Sequence, residues 1–243
     1  MVECFTFMSE QLRTNSEYAE KLKTILELRD EPVAVKLIRE GENFPKMEAS
    51  QAGNISHCQA VFRAVKGESF CLTTEMENCH VGTSVLGMTG TPDKVATGEF
   101  HAGIGIHDSV EAAGIMISQR VVVPYETIGE AVCPLKDADF VPDVVIIMDL
   151  PERIYWIVAL MSAEKGGRAT FSTAPFQCAC EDITAIPIVT GSPNISLGCF
   201  GCRKRTDMSK DEVACGIPYV LMPSYTSRLE KYKTGVMTKA RRD

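Results

Sequence analysis

The chain has 243 residues, of which 45% are hydrophobic and 23% charged, a composition ordinary for a soluble globular protein. Its net charge of −7 argues against nucleic acid and anionic lipid as partners, and its longest apolar stretch, residues 154–161, is too short to cross a membrane. No signal-like segment opens the chain, so we expect a cytoplasmic protein whose ten cysteines stay reduced. Metal ligation, nucleophilic chemistry and burial are then the roles open to the thiols.

Apolar periodicity and capping signals predict the helices in chain order. A capping box at Thr14 precedes an amphipathic helix that ends near Arg29. Later helices are predicted at residues 57–65, 78–86, from 91, 110–120, 151–164, 176–186 and 224–232. Runs rich in β-branched residues and bounded by turn residues predict strands at residues 33–38, 69–73, 129–134, 143–149, 168–173, 195–197 and 213–220.

This alternation of helices and strands predicts an α/β fold, with a mixed α+β arrangement as its variant. We expect one domain over residues 1–243, built on a mixed central sheet flanked by helices, and a basic C-terminal tail over residues 233–243. Apolar helices such as residues 151–164 could form core or a dimer surface, so a homo-oligomer is left open.

The sharpest motif is the C-x-x-C sequence Cys199-Phe-Gly-Cys202. A turn of this kind brings two sulfurs close together, and Gly201 permits the tight backbone that a thiolate-bound cluster favours. A redox dithiol would begin a helix after a strand in a thioredoxin-like unit, which the surrounding sequence does not predict. The motif therefore favours ligation of a soft metal or of an iron–sulfur cluster.

Further cysteines could complete a four-thiolate site. Neighbours two apart on an α-helix diverge by about 200°, so we expect one of Cys178 and Cys180 to be a core residue and the other, Cys180, to be a ligand. Cys79 opens a predicted helix, where the helix dipole and free amides would lower the pKa of its thiol. Cys71 is the first substitute ligand, and Cys178 and Cys215 are further alternatives. The cysteines interpreted as packing residues are Cys4, Cys58, Cys133 and Cys215.

Short passages spread over the chain carry a family resemblance. They include residues 31–37, Asn78-Cys-His-Val-Gly, residues 141–145 and Gly216-Ile-Pro218. In combination they resemble the uncharacterised family catalogued as domain of unknown function 169. The resemblance implies an archaeal or bacterial cytoplasmic protein with one mixed α/β domain and no established reaction. Cysteines that match Cys79 and Cys180 recur in the family pattern, and Cys199 with Cys202 is an addition to it.

These observations lead to a hypothesis and its rivals. We expect a [4Fe–4S] cluster bound by Cys79, Cys180, Cys199 and Cys202, for electron transfer to a redox partner protein or for chemistry on a small molecule. Structural zinc at the same four cysteines is the first alternative. A metal-free cysteine enzyme or small-ligand-binding protein is the second, with Cys79 as nucleophile and His80 or Glu77 assisting. A regulatory or scaffold domain without chemistry is the third.

Overall fold

The computed structural model describes residues 2–47, 49–50, 53–164 and 166–240, with side chains from residue 10 onward. Six strands of the described chain form one sheet in the spatial order β2-β3-β1-β4-β6-β5. The strands are β1 Val33–Arg39, β2 Phe70–Thr73, β3 Thr127–Pro134, β4 Val144–Asp149, β5 Asn194–Ser196 and β6 Val213–Pro218. Every neighbouring pair among these strands is antiparallel.

Helices cover both faces of the sheet. The α-helices are α1 Val2–Leu26, α2 His57–Ala64, α3 His80–Val85, α4 Asp93–Ala96, α5 Glu99–Ala102, α6 Val110–Ser118, α7 Pro151–Ser162, α8 Ile186–Thr190, α9 Phe200–Arg205, α10 Met222–Lys233 and α11 Val236–Ala240. A π-helix runs over Cys178–Ala185 and leads directly into α8. No helix in the described part of the chain has both the length and the hydropathy that a membrane crossing requires.

Side chains that alternate along the strands divide the core in two. On one side, which we call the cavity face, residues such as Val35 and Ile146 pack with α2 and the π-helix. On the other side, the back face, Ala34 and Ile147 pack with α1, α7 and α10. The cavity face carries the candidate site.

The α/β class, with one sheet and helices on it, is confirmed, while the sheet is antiparallel where a mixed sheet was expected. Residues 168–173, predicted as a strand, are irregular in the structure. Their backbone bonds to a side chain instead of a neighbouring strand, because Ser172 N–H donates to Asn194 Oδ1 at 2.9 Å and Asn194 Nδ2 donates to Ser172 O at 2.6 Å. The predicted start of the first helix, at Thr14, was also wrong, since α1 begins at Val2 and Thr14 lies inside it.

The predicted basic tail is only partly a tail. Residues 236–240 form α11, and the side chain of Met237 is buried in the back-face core. Residues 241–243 lie outside the described residues.

A cavity lined by six cysteines

A cavity of about 520 Å³ opens on the cavity face, where α2, α3, the π-helix and α9 meet. Six of the nine cysteines that the structure describes line it. These are Cys58, Cys79, Cys178, Cys180, Cys199 and Cys202. The four predicted ligands are all among them, so segments more than a hundred residues apart in sequence bring their thiols to one place.

Cys79 and Cys180 meet across the first turn of α3. Cys79 is the N-cap residue of that helix. A Cβ atom at Gly82 would lie 3.7 Å from Cys79 Sγ and 3.8 Å from Cys180 Cβ, so the glycine lets α3 pack against both cysteines. The predicted fall in the pKa of Cys79 is wrong, because burial raises that pKa by more than the amides of Gly82 and Val81 lower it.

The C-x-x-C motif follows β5 and begins α9. Cys199 is the N-cap residue, and its Sγ accepts a hydrogen bond from Cys202 N–H at 3.3 Å. The Cys202 thiol, followed by backbone amides, lowers the pKa of Cys199 to about 6. The strand–helix context that the sequence did not predict is therefore present, although the sheet around it is antiparallel and not thioredoxin-like.

The π-helix places both of its cysteines at the cavity. The N-cap residue of the π-helix, Gln177, has a positive φ of 67°, which is uncommon outside glycine. Gln177 O accepts from Asp182 N–H at 3.1 Å, the five-residue spacing of a π turn. Cys178 is fully buried in the core, as expected, and it also lines the cavity together with Cys180.

Cys202 lies at the centre of the thiol group. Its side chain interacts with those of Cys58, Cys178 and Cys199, and these contacts raise its pKa. The Cys202 thiol and Ser56 stabilise the thiolate of Cys58, so the pKa of Cys58 falls to about 7. Burial and the nearby thiols of Cys79, Cys199 and Cys58 raise the pKa of Cys180. The six sulfurs thus form one electrostatically connected group.

Two of the cysteine interpretations are corrected by this arrangement. Cys71, the predicted substitute ligand, is packed on the back face with Pro45 O 3.9 Å from its Sγ. Cys215 is fully buried in the same back-face core, as expected of a packing residue. Cys58, also interpreted as a packing residue, instead lines the cavity, and sequence reasoning missed it. The available signal was its position beside the Ser56 cap of a predicted helix, which matches the position of Cys79 at the start of α3.

A buried ionic network lies directly behind the thiols. His57 Nδ1 is 2.5 Å from Glu130 Oε2, and His57 Nε2 is 3.0 Å from Thr184 Oγ1. The backbone N–H of His57 donates to Glu77 Oε2 at 2.9 Å. Although burial opposes it, Glu130 raises the pKa of His57, whereas burial and the neighbouring Glu130 charge raise the pKa of Glu77 to about 11. We therefore assign a neutral Glu77 beside the hydrogen-bonded His57–Glu130 pair.

The rest of the lining is aromatic and cationic. Phe176 is 4.6 Å from His101 and 6.3 Å from Phe200, measured between ring centroids, and Phe100 is 5.1 Å from His101. Burial lowers the pKa of His101 to about 4, so this imidazole is neutral near pH 7. The exposed cations Lys94, Lys204 and Arg205 also line the cavity, together with the exposed His80. No aspartate or glutamate is among the described residues of the lining.

The donor set fits a thiolate-bound cofactor. Over the described ranges, no group of three or more His, Cys, Asp or Glu side chains is arranged to hold a single metal ion. The six thiols line the cavity, and the side chain of Cys202 contacts those of Cys58, Cys178 and Cys199. Thiolates are the ligands that soft metals and iron–sulfur clusters prefer.

Comparison with known proteins extends the description without adding an activity. The model of the family DUF169, described as "Uncharacterised ArCR, COG2043", matches residues 21–228. The chain is also similar to "Uncharacterized protein MJ0308" of Methanocaldococcus jannaschii, with 26% identity over 223 residues, which cover 90% of this chain and 96% of that protein. No solved structure matches the chain significantly.

Proposed function

Because the chain belongs to the DUF169 family, whose description assigns no activity, we propose a function from the chemistry of its cavity: binding of a [4Fe–4S] cluster through Cys79, Cys180, Cys199 and Cys202. The observation that carries the proposal is the gathering of six thiols from four separate segments around one cavity. Cys58 is the substitute ligand, since it adjoins Cys202 and is half-buried at the same cavity.

The type of donor supports this choice. Thiolates select soft metals and iron–sulfur clusters, whereas Mg²⁺ and Ca²⁺ prefer sites rich in carboxylate oxygens, and the described side chains of the lining include no carboxylate. Six thiols exceed what packing requires, and ten cysteines in a chain of 243 residues are not needed as a disulfide framework. The nine described cysteines are indeed unpaired.

The surroundings of the thiols would tune the bound group. Amides of Gly82 and Val81 hydrogen-bond to Cys79, and amides of Cys202 and Gly201 to Cys199. When bound, an iron–sulfur cluster supplies one-electron transfer at a potential set by such hydrogen bonds and by burial. Four protein thiolates on four irons favour electron transfer, and fewer would leave one iron open to a small molecule.

The test is metal analysis of protein purified without oxygen. We expect about four iron and four acid-labile sulfide per chain, with a brown colour and an electron paramagnetic resonance signal after reduction. Stoichiometric zinc without acid-labile sulfide would reject the cluster and favour the structural zinc alternative. Protein that holds neither metal after anoxic handling would exclude both.

Matched cysteine variants locate the site. Cys202→Ser should lose most of the iron, while Cys215→Ser, an equally buried cysteine on the back face, should keep it. Cys79→Ser and Cys71→Ser form a second pair, half-buried on the cavity face and the back face respectively. Circular dichroism of each variant checks that iron loss is not unfolding. Equal iron loss within each pair would contradict the proposed ligands.

The geometry of the C-x-x-C motif favours one second candidate, a dithiol–disulfide exchange protein. Cys199 at the start of α9 has the amide contact and the lowered pKa of an attacking thiolate, which moves the metal-free alternative from Cys79 to Cys199. The Cys199 thiolate would attack a substrate disulfide and release one substrate thiol. Cys202 would then displace the second substrate thiol and leave a Cys199–Cys202 disulfide.

This candidate makes a different prediction about two variants. Iron-free wild-type protein should catalyse insulin disulfide reduction by dithiothreitol, Cys199→Ser should abolish that activity, and Cys79→Ser should retain it. An inactive iron-free wild type excludes the exchange function and leaves the cluster proposal untouched.

A further inference from the structure

The aromatic part of the cavity has no use in thiolate ligation. Phe100, His101, Phe176 and Phe200 form a continuous contact group next to the C-x-x-C motif. The side chains of Phe100 and Phe200 are 49% and 42% exposed, so two large aromatic rings lack a cover at the cavity. At about 520 Å³ the whole cavity lies within the size range of small-molecule pockets, about 300–1,000 Å³.

Basic side chains line this cavity although the molecule is acidic. The chain has a net charge of −7, yet the described lining residues include Lys94, Lys204 and Arg205 and no aspartate or glutamate. None of them forms an ion pair with a described carboxylate. Lys204 Nζ lies 5.6 Å from the Phe200 ring centroid, so cation and aromatic wall are adjacent. Lys94 comes from a different element, α4, and two elements therefore contribute positive charge.

Unpartnered polar groups lie in the same wall. Gln177 and His101 are at least nine-tenths buried, and both line the cavity. Gln177 Nε2 and His101 Nδ1 have no hydrogen-bond partner within the described chain. Buried polar atoms in native proteins are nearly always hydrogen-bonded, so this pair points to a partner from outside the chain. The left-handed backbone of Gln177 is a further sign of local strain at this wall.

We propose that this aromatic and cationic part of the cavity binds a small organic acid with a flat apolar body and one carboxylate. The body would lie against Phe176 and its neighbouring rings, and the carboxylate would face Lys204, Arg205 and Lys94. Identification of this acid as the substrate of the cavity rests on the cluster function proposed above, whereas its binding does not. The two ideas can therefore fail separately.

Calorimetric titration of the anoxically purified full-length protein with benzoate at low salt tests the proposal. The single tryptophan, Trp156, lies on the back face, so its fluorescence would not report binding. We expect saturable benzoate binding that added salt weakens. Benzamide, which lacks the charge, and acetate, which lacks the ring, should each bind at least about tenfold more weakly. Iron content measured on the same sample keeps the cluster question separate.

Charge variants locate the bound acid. Lys204→Gln and Lys94→Gln should each weaken benzoate binding by about threefold to tenfold. Lys210→Gln, an exposed lysine that does not line the cavity, should leave it unchanged. Equal affinity for benzamide, equal affinity for inorganic phosphate, unchanged affinity in both cavity variants, or no benzoate binding would each overturn the proposal. Benzoate binding with this dependence in protein that holds no iron would support it while the cluster proposal failed.

Discussion

The two faces of the sheet use the same residue types in opposite ways. On the cavity face, cysteines surround an open space, and a histidine and carboxylates are buried behind them. On the back face, Cys133 and Cys215 are completely buried packing residues, and burial raises the pKa of both thiols. The buried Asp149 is there neutralised by the surface-reaching Arg29 and Arg153 at the end of β4.

This contrast shows that the role of a cysteine in this chain depends on which face its element covers. Asp149 illustrates the same point, because it is a buried carboxylate at the end of β4 that does not line the cavity. Its carboxylate instead accepts from Arg29 N–H at 2.8 Å and from Arg153 at 2.9 Å, and it holds the end of the strand against two neighbouring elements. The back face is a packing core, whereas the cavity face combines a packed core with thiols and polar groups that line an open cavity.

The largest effect on this comparison should come from His57→Ala. Removal of the imidazole leaves the buried Glu130 carboxylate without its partner and Thr184 Oγ1 without an acceptor or donor. We expect the free energy of unfolding to fall by about 3–5 kcal/mol, measured by urea denaturation of metal-free protein. His80→Ala, at an exposed histidine of the same cavity, should cost no more than about 0.5 kcal/mol. A cost below about 1 kcal/mol for His57→Ala would show that its hydrogen bonds to Glu130 and Thr184 contribute little to the stability of the fold.

A smaller effect should follow from Gly216→Ala in β6, which tests how the π-helix is seated on the sheet. A Cβ at Gly216 would lie 2.0 Å from Ile183 O and 2.8 Å from Pro187 Cγ. The π-helix must then move away from the sheet, and we expect a loss of about 1–3 kcal/mol in unfolding free energy together with partial loss of iron. Gly90→Ala is the matched control, since nothing lies within 4 Å of its Cβ position. Similar stability of the two variants would mean that the close approach is easily relieved.

The smallest effect concerns Glu31, at the start of β1. Burial alone would raise its pKa, but hydrogen bonds from Lys23 and Lys136 outweigh burial and lower it below 4.5. A lowered folded-state pKa stabilises the fold at pH above the ordinary value and loses this effect as pH falls through the folded-state value. Glu31→Gln should therefore cost about 0.5–1 kcal/mol at pH 7, and this cost should shrink progressively as the pH is lowered below 4.5, by urea denaturation at each pH. A cost that does not change with pH would assign the effect to packing.

Local signals in the sequence predicted the ends of elements on both faces of the sheet. The apolar run before Asp149, the proline at Pro151 and the cap position of Cys79 all correspond to observed boundaries. They succeed because strand burial, proline geometry and helix capping depend on residues a few positions apart. Cys79, Cys180, Cys199 and Cys202 line the same cavity, and their role as ligands stays a prediction.

The remaining features depend on contacts between distant segments. Cys58 lies near the start of a helix and Cys71 lies on a strand, and neither position alone shows which face of the sheet the side chain meets. Only the assembled sheet decides that Cys58 meets the cavity and Cys71 the back face. Alternation along a strand says which side chains share a face and not what covers that face. The π-helix was missed for a similar reason, since Gly216 and the neighbouring β6 shape the space in which it packs.

The position of β6 has a consequence for the order in which the walls of the cavity can assemble. β6 lies between β4 and β5 in the sheet, although it follows both in the chain. During synthesis, β5 and the adjoining Cys199–Cys202 segment thus have no backbone neighbour in the sheet until residue 218 has left the ribosome. The Cys199–Cys202 wall of the cavity can therefore reach its final place only after β6 has been made and has paired with β5.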